Sequence, residues 1–142
     1  MEQKVLYSIP LQPCYTNGSQ DLHIGFISYN FMSSTLTSSE EFSALLGAEK
    51  LVLVDFFADW CEPCKWLDDI LDDVEEGCSV PLSVLKIDVE TYPELALENE
   101  IKSVPVLLLF KDNILVWRIN GFLSSSDLVA KIETISRGTP EN

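Results

Sequence analysis

Between Leu51 and Phe57 the chain runs Leu-Val-Leu-Val-Asp-Phe-Phe, a short, β-rich apolar segment that predicts a strand buried on both faces. Past Cys61 the apolar period changes. Leu67, Ile70, Leu71 and Val74 share one face of a 3.6-residue helix, and Asp68, Asp69, Asp72, Asp73, Glu75 and Glu76 fill the rest, with Gly77 placed to close it. Upstream, Ser38 and Glu41 form a capping box ahead of Phe42, Leu45 and Leu46, in a short helix that Gly47 can end. Downstream, residues 80–89 contain a second strand, and Pro93 opens a short helix over residues 94–100. Residues 104–110 and 114–120 read as two strands. The three-residue connection Lys111-Asp112-Asn113 makes them an antiparallel hairpin. Ser124-Ser125-Ser126-Asp127 then start a last amphipathic helix carrying Leu128, Val129, Ile132 and Ile135. From residue 32 the order reads strand, helix, strand, helix, strand, helix, strand, strand, helix, an α/β layered domain.

Residues 1–31 differ in composition, with few charges, several aromatics and turn residues midway. Residues 4–11 and 22–31 could extend on either side of an Asn17-Gly18 turn, with Pro10 and Pro13 keeping any first strand short or at an edge. We therefore divide the chain into an extension, 1–31, hairpin-like or poorly ordered, and a domain over 32–142.

At 142 residues and 46% hydrophobic content the chain can bury one core. Nine basic against 23 acidic residues, a net charge of -14, leave no cationic cluster for phosphates, so nucleic acid is not an expected partner. No apolar run approaches the ~20 residues of a membrane span, and the start lacks a secretory pattern, so the expectation is a cytoplasmic, monomeric protein without a membrane partner.

Cysteine use sharpens this. Four cysteines, 14, 61, 64 and 78, in a chain able to form a core do not make a disulfide scaffold. Cys14 and His23 with Cys61 and Cys64 have zinc-compatible donors, but no second close-spaced pair exists, so no metal and no cofactor are expected. Cys78, next to the end of the acidic helix, reads as a small core residue. Cys61 and Cys64 lie at a strand-to-helix junction, where unpaired amides and the helix dipole favour a thiolate; such a setting can lower a cysteine pKa from about 8.5 to about 7. Pro63 fits the first turn. A Cys-x-x-Cys in a βαβ setting reads as a redox pair.

Val-Asp-Phe-Phe-Ala-Asp-Trp-Cys-Glu-Pro-Cys-Lys, ending at Lys65, is followed in order by Lys86-Ile87-Asp88, Pro93-Glu94-Leu95-Ala96, Ser103-Val104-Pro105 and Gly121. With these features the chain resembles the thioredoxin family over about 110 residues, from Met32 on. The resemblance implies a thioredoxin fold, a central mixed sheet flanked by helices. It implies a protein-disulfide reductase, with Cys61 attacking, Cys64 resolving and the two cycling between dithiol and disulfide. It makes Pro105 a cis-proline whose loop faces the cysteines. Trp60, Glu62, Pro63, Val104, Gly121 and Phe122 would surround them as the substrate surface. Asp55 matches the family's base, which takes a proton from Cys64, and Lys86 its charge partner. A buried carboxyl with a raised pKa suits that work. Disulfide-containing proteins are the implied clients and a thioredoxin reductase the implied electron donor.

The chain departs from the family pattern at three positions. Glu62 replaces a glycine and acts on Cys61 in two opposed ways, as a nearby negative charge and as a complement to the helix dipole. Asp69 replaces a helix-kinking proline, and Asn113 a turn glycine. Two further readings stand beside general reduction. One is a dedicated reductant or isomerase for a narrow client set; the other is a thioredoxin-fold interaction module whose extension binds a partner or covers the active face.

Overall fold

The computed structural model describes residues 7–8 and 39–138. In chain order they form β1 (Tyr7–Ser8), α1 (Ser39–Ala48), β2 (Leu51–Phe57), α2 (Glu62–Gly77), β3 (Ser83–Asp88), α3 (Pro93–Glu98), β4 (Val106–Lys111), β5 (Ile114–Asn120) and α4 (Ser125–Ser136). The strands make one mixed sheet ordered β1-β3-β2-β4-β5, in which β2 and β3 are parallel and the other neighbours antiparallel.

The period-two alternation of β2 decides what each face meets. Val52, Val54 and Phe56 point to the side covered by α1 and α3, where they join Phe42, Leu46, Tyr92 and Leu95. Leu51 and Leu53 point to the other side, against Leu67, Leu71 and Val74 of α2 and Leu128 and Ile132 of α4. Asp55 shares the parity of Leu51 and Leu53, so its carboxylate is turned towards α2. In β3, Leu85 and Ile87 join the first cluster and Val84 the second, which puts Lys86 on the α2 side as well.

β2, α2 and β5 fall where the apolar pattern places them. Cys78 is buried behind α2 with the second cluster. The β4–β5 connection differs from expectation. Lys111 pairs with Ile114 inside the ladder, so the turn has two residues, Asp112 and Asn113, at φ 50° and 64°. Positive φ at both central positions is the twist that suits a two-residue hairpin, and Asp and Asn tolerate it. That geometry explains how Asn113 stands in for glycine. β3, Ser83–Asp88, lies within residues 80–89 as expected and begins beyond Pro81.

The strand expected just past residue 32, the Asn17-Gly18 hairpin, the Ser38 cap, and Cys14 and His23 lie outside the described residues. The first described strand, Tyr7–Ser8, comes from the extension itself and pairs with Leu85 and Val84 at the free edge of β3.

Candidate active site

Strand β2 ends at Phe57, and after three intervening residues the chain enters α2 with Cys61 as its N-cap. Cys61 has extended backbone angles, φ -87° and ψ 106°, and its Sγ accepts the Cys64 amide at 3.2 Å. Pro63 lies in the first turn, where a missing N–H breaks no helical hydrogen bond. The two cysteines are joined as a disulfide across 5.3 Å between Cα atoms. Cys61 keeps 4% of its surface exposed and Cys64 3%, so a partner would reach the sulfurs at a narrow opening.

The wall of that opening comes from the far end of the sheet. Val104 packs with Ala58, Cys61 and Cys64, and the Val104–Pro105 bond is cis, as the resemblance implied. The Pro105 carbonyl accepts the Gly121 amide at 2.8 Å, which ties the start of β4 to the end of β5. Gly121 has φ +109°, a conformation that L side chains rarely adopt. Phe122, exposed, follows it.

The rim is aromatic and charged. Trp60 is 65% exposed, and its indole Nε1 donates to Glu90 Oε1 at 2.9 Å. The Glu62 carboxylate accepts from Lys65 Nζ at 2.8 Å, so the acid that replaces a glycine carries its own counter-charge within the same helical turn. Trp66, 60% exposed on α2, was not singled out from the sequence. Its signal is that it lies outside the Leu67–Leu71–Val74 stripe, among acidic residues. Glu90, Trp60's partner, carries no local signal, being 30 residues away.

On the α2 face of β2, Asp55 is wholly buried, and neither carboxylate oxygen has a hydrogen-bond partner among the described residues. Burial raises its pKa to about 7; the Lys86 charge pulls the other way and Asp68 adds to the rise. Lys86 acts on Asp55 through its charge, without a hydrogen bond to it. It faces Asp55 in the β2–β3 register, but its ammonium is bonded to Asp68 Oδ1 and lies 4.8 Å from the centre of the Phe57 ring. A long, flexible side chain with two carboxylates in range takes the one that is half in water, because that ion pair is cheaper to desolvate.

Among the described residues no group of three or more His, Cys, Asp or Glu is placed to hold a metal. None of their helices is long and apolar enough to cross a membrane. The arrangement is a two-cysteine centre at a helix N-terminus, packed against a cis-proline loop, with a buried acid on the strand that leads into it. The profile of the family described as Thioredoxin matches residues 33–134, and the chain belongs to the thioredoxin family. It is 44% identical to "Thioredoxin Y2, chloroplastic" of Arabidopsis thaliana over 89 residues, 63% of this chain and 53% of that protein. The chain thus spans about half the length of that relative. To "Thioredoxin" of Mycobacterium bovis it is 38% identical over 91 residues, 64% of this chain and 78% of the relative. Among solved structures, a mutant thioredoxin from Halobacterium salinarum superimposes with a TM-score of 0.65 at 31% identity, covering 72% of this chain and 89% of that one.

Proposed function

We propose that this chain reduces disulfides in partner proteins by thiol–disulfide exchange at Cys61 and Cys64. The observation that carries this reading is the bonded pair at the head of α2, with Cys61 Sγ in the N-cap position. In the dithiol form, the Cys61 thiolate attacks one sulfur of a client disulfide. The client S–S bond breaks, its second sulfur leaves as a thiolate that takes up a proton, and a mixed disulfide remains on Cys61. Cys64 then gives its proton to the Asp55 carboxylate and attacks Cys61 Sγ. The bond between Cys61 and the client breaks, the first client sulfur departs as a thiolate that takes up a proton as Asp55 releases its own, and two electrons have passed from the pair to the client. A two-electron donor must restore the dithiol, and a thioredoxin reductase is the donor we propose.

Trp60, Glu62, Pro63, Val104, Pro105, Gly121 and Phe122 would form the contact surface, with the client's backbone pairing beside Pro105 in the manner of an added strand. The compartment we propose is a reducing one, cytoplasmic on the sequence reading; a relative named as chloroplastic makes a plastid the alternative. A monomer is the proposed working state.

Reduction of insulin disulfides with dithiothreitol as electron supply tests the activity. Turnover above the reductant's own rate, abolished in Cys61→Ser, is expected; turnover unchanged by that substitution contradicts the reading. The tethered Trp60 and exposed Trp66 favour a second reading, a narrow client set. Capture by Cys64→Ser, which stalls at the mixed disulfide, separates the two: many trapped proteins for a general reductase, a few for a dedicated one.

A further inference from the structure

The strand register sets Lys86 beside Asp55, on the same side of the sheet, so its ammonium is positioned to neutralise the buried carboxylate. It is engaged elsewhere. Asp68, one helical turn past Cys64 on α2, holds Lys86 Nζ, while both Asp55 oxygens are left without a hydrogen-bond partner among the described residues. The Lys86–Asp68 pair sits in a cleft of about 90 Å³ between α2 and β3, lined by Asp68, Leu71, Asp72, Glu75, Val84 and Lys86. The helix that presents the resolving cysteine therefore also supplies the acid that draws the lysine away from the group below it.

We infer that Asp68 is a positioning residue for thiol exchange: by holding the Lys86 ammonium it keeps that group from bonding directly to Asp55 and leaves the buried carboxylate free to accept the Cys64 proton. This rests on the reading of Asp55 as proton acceptor. Other charges around Asp55 do not substitute for this pair. From β3 Lys86 acts on it, and from α2 Asp68, with Asp72 and Glu75 further along the cleft. From β4 its register partner is Leu107, and α4 contributes Leu128 and Ile132 to that side. The charged residues of α4 are occupied away from it, Asp127 on Ser124, Lys131 over Trp117 and Glu133 on Ser79.

The test follows the Asp55 carboxyl by carbon NMR in the oxidised full chain, with Asp55→Asn to assign the signal. Asp68→Asn frees Lys86 and should lower the Asp55 titration midpoint by about one pH unit. Asp68→Glu should restore the midpoint, and Asp73→Asn, an equal change of charge on the exposed face of α2, should leave it in place. In a Lys86→Met background the Asp68→Asn shift should shrink by half or more. A midpoint unmoved by Asp68→Asn, or an equal shift in the Lys86→Met background, would overturn the inference. Asp68→Ala provides an independent second variant. The pH profile of the Cys64-dependent step should move with the midpoint; a moved midpoint with an unmoved profile upholds the hold on Lys86 and overturns the acceptor role of Asp55.

Discussion

The amide of Cys64 donates to Cys61 Sγ at 3.2 Å, so the first sulfur of the pair occupies the place that a serine or aspartate oxygen takes at other helix starts. A negative charge there is met by a helix N-terminus, whereas Cys64 sits inside the first turn and Cys78 in the core. In the reduced protein, Cys61 should therefore be alkylated at neutral pH about tenfold or more faster than Cys64 or Cys78. Peptide mapping after timed iodoacetamide treatment checks this; equal rates at Cys61 and Cys64 would contradict it.

Asp55 makes folding depend on pH. Its carboxyl titrates at about 7 in the folded chain against 3.8 ordinarily, so between those values the folded state holds a proton that the unfolded state has lost. The stability this gives is complete below the lower value and is lost as pH rises through about 7. Relative to Asp55→Asn, the natural chain should lose roughly 2 to 3 kcal/mol between pH 5 and pH 8. Urea denaturation of both proteins at the two pH values measures it, and parallel losses would refute it.

What the sequence made legible is what short-range pattern controls. The run of apolar residues in β2, the spacing of Leu67, Leu71 and Val74, and the serines ahead of α4 each determine an element locally, and the motif order located the cysteines and Pro105. Where the outcome turned on partners distant in sequence, pattern was silent. Lys86 chose between two carboxylates 18 and 31 positions away only once α2 had packed on the sheet. Trp60 found Glu90, and the edge of β3 found Tyr7–Ser8, by the same route. The β4–β5 turn is one residue shorter than the sequence pattern predicts because a hairpin's length is set by backbone twist, which Asp112 and Asn113 supply with positive φ.

The Trp60–Glu90 hydrogen bond fixes an exposed indole beside Cys61 without supporting the core. Glu90→Ala should raise KM for a protein disulfide about two- to fivefold, with kcat within about twofold and stability within about 0.5 kcal/mol. Steady-state insulin reduction and a thermal melt give both values.

Arg118 reaches from β5 to the carbonyls of Asn99, at 2.7 Å, and Glu100, at 2.8 Å, where the backbone of Glu100 is at φ 54° ahead of the Val104–Pro105 loop. Arg118→Ala releases two acceptors and should cost about 1 to 3 kcal/mol of stability while raising KM. Arg118→Lys, able to serve one carbonyl at a time, should fall between. Urea titration and the same kinetic assay report on each.

The most direct measurement is an electron count. The reduced chain, mixed in the absence of any other reductant with an oxidised client protein, is quenched by acid and alkylation and weighed by mass spectrometry. The account predicts one new Cys61–Cys64 disulfide for each client disulfide opened, two thiols lost on one side and two gained on the other, with Cys78 unchanged. A client left oxidised while the Cys61 and Cys64 thiols persist, or a client reduced equally well by Cys61→Ser, would contradict it.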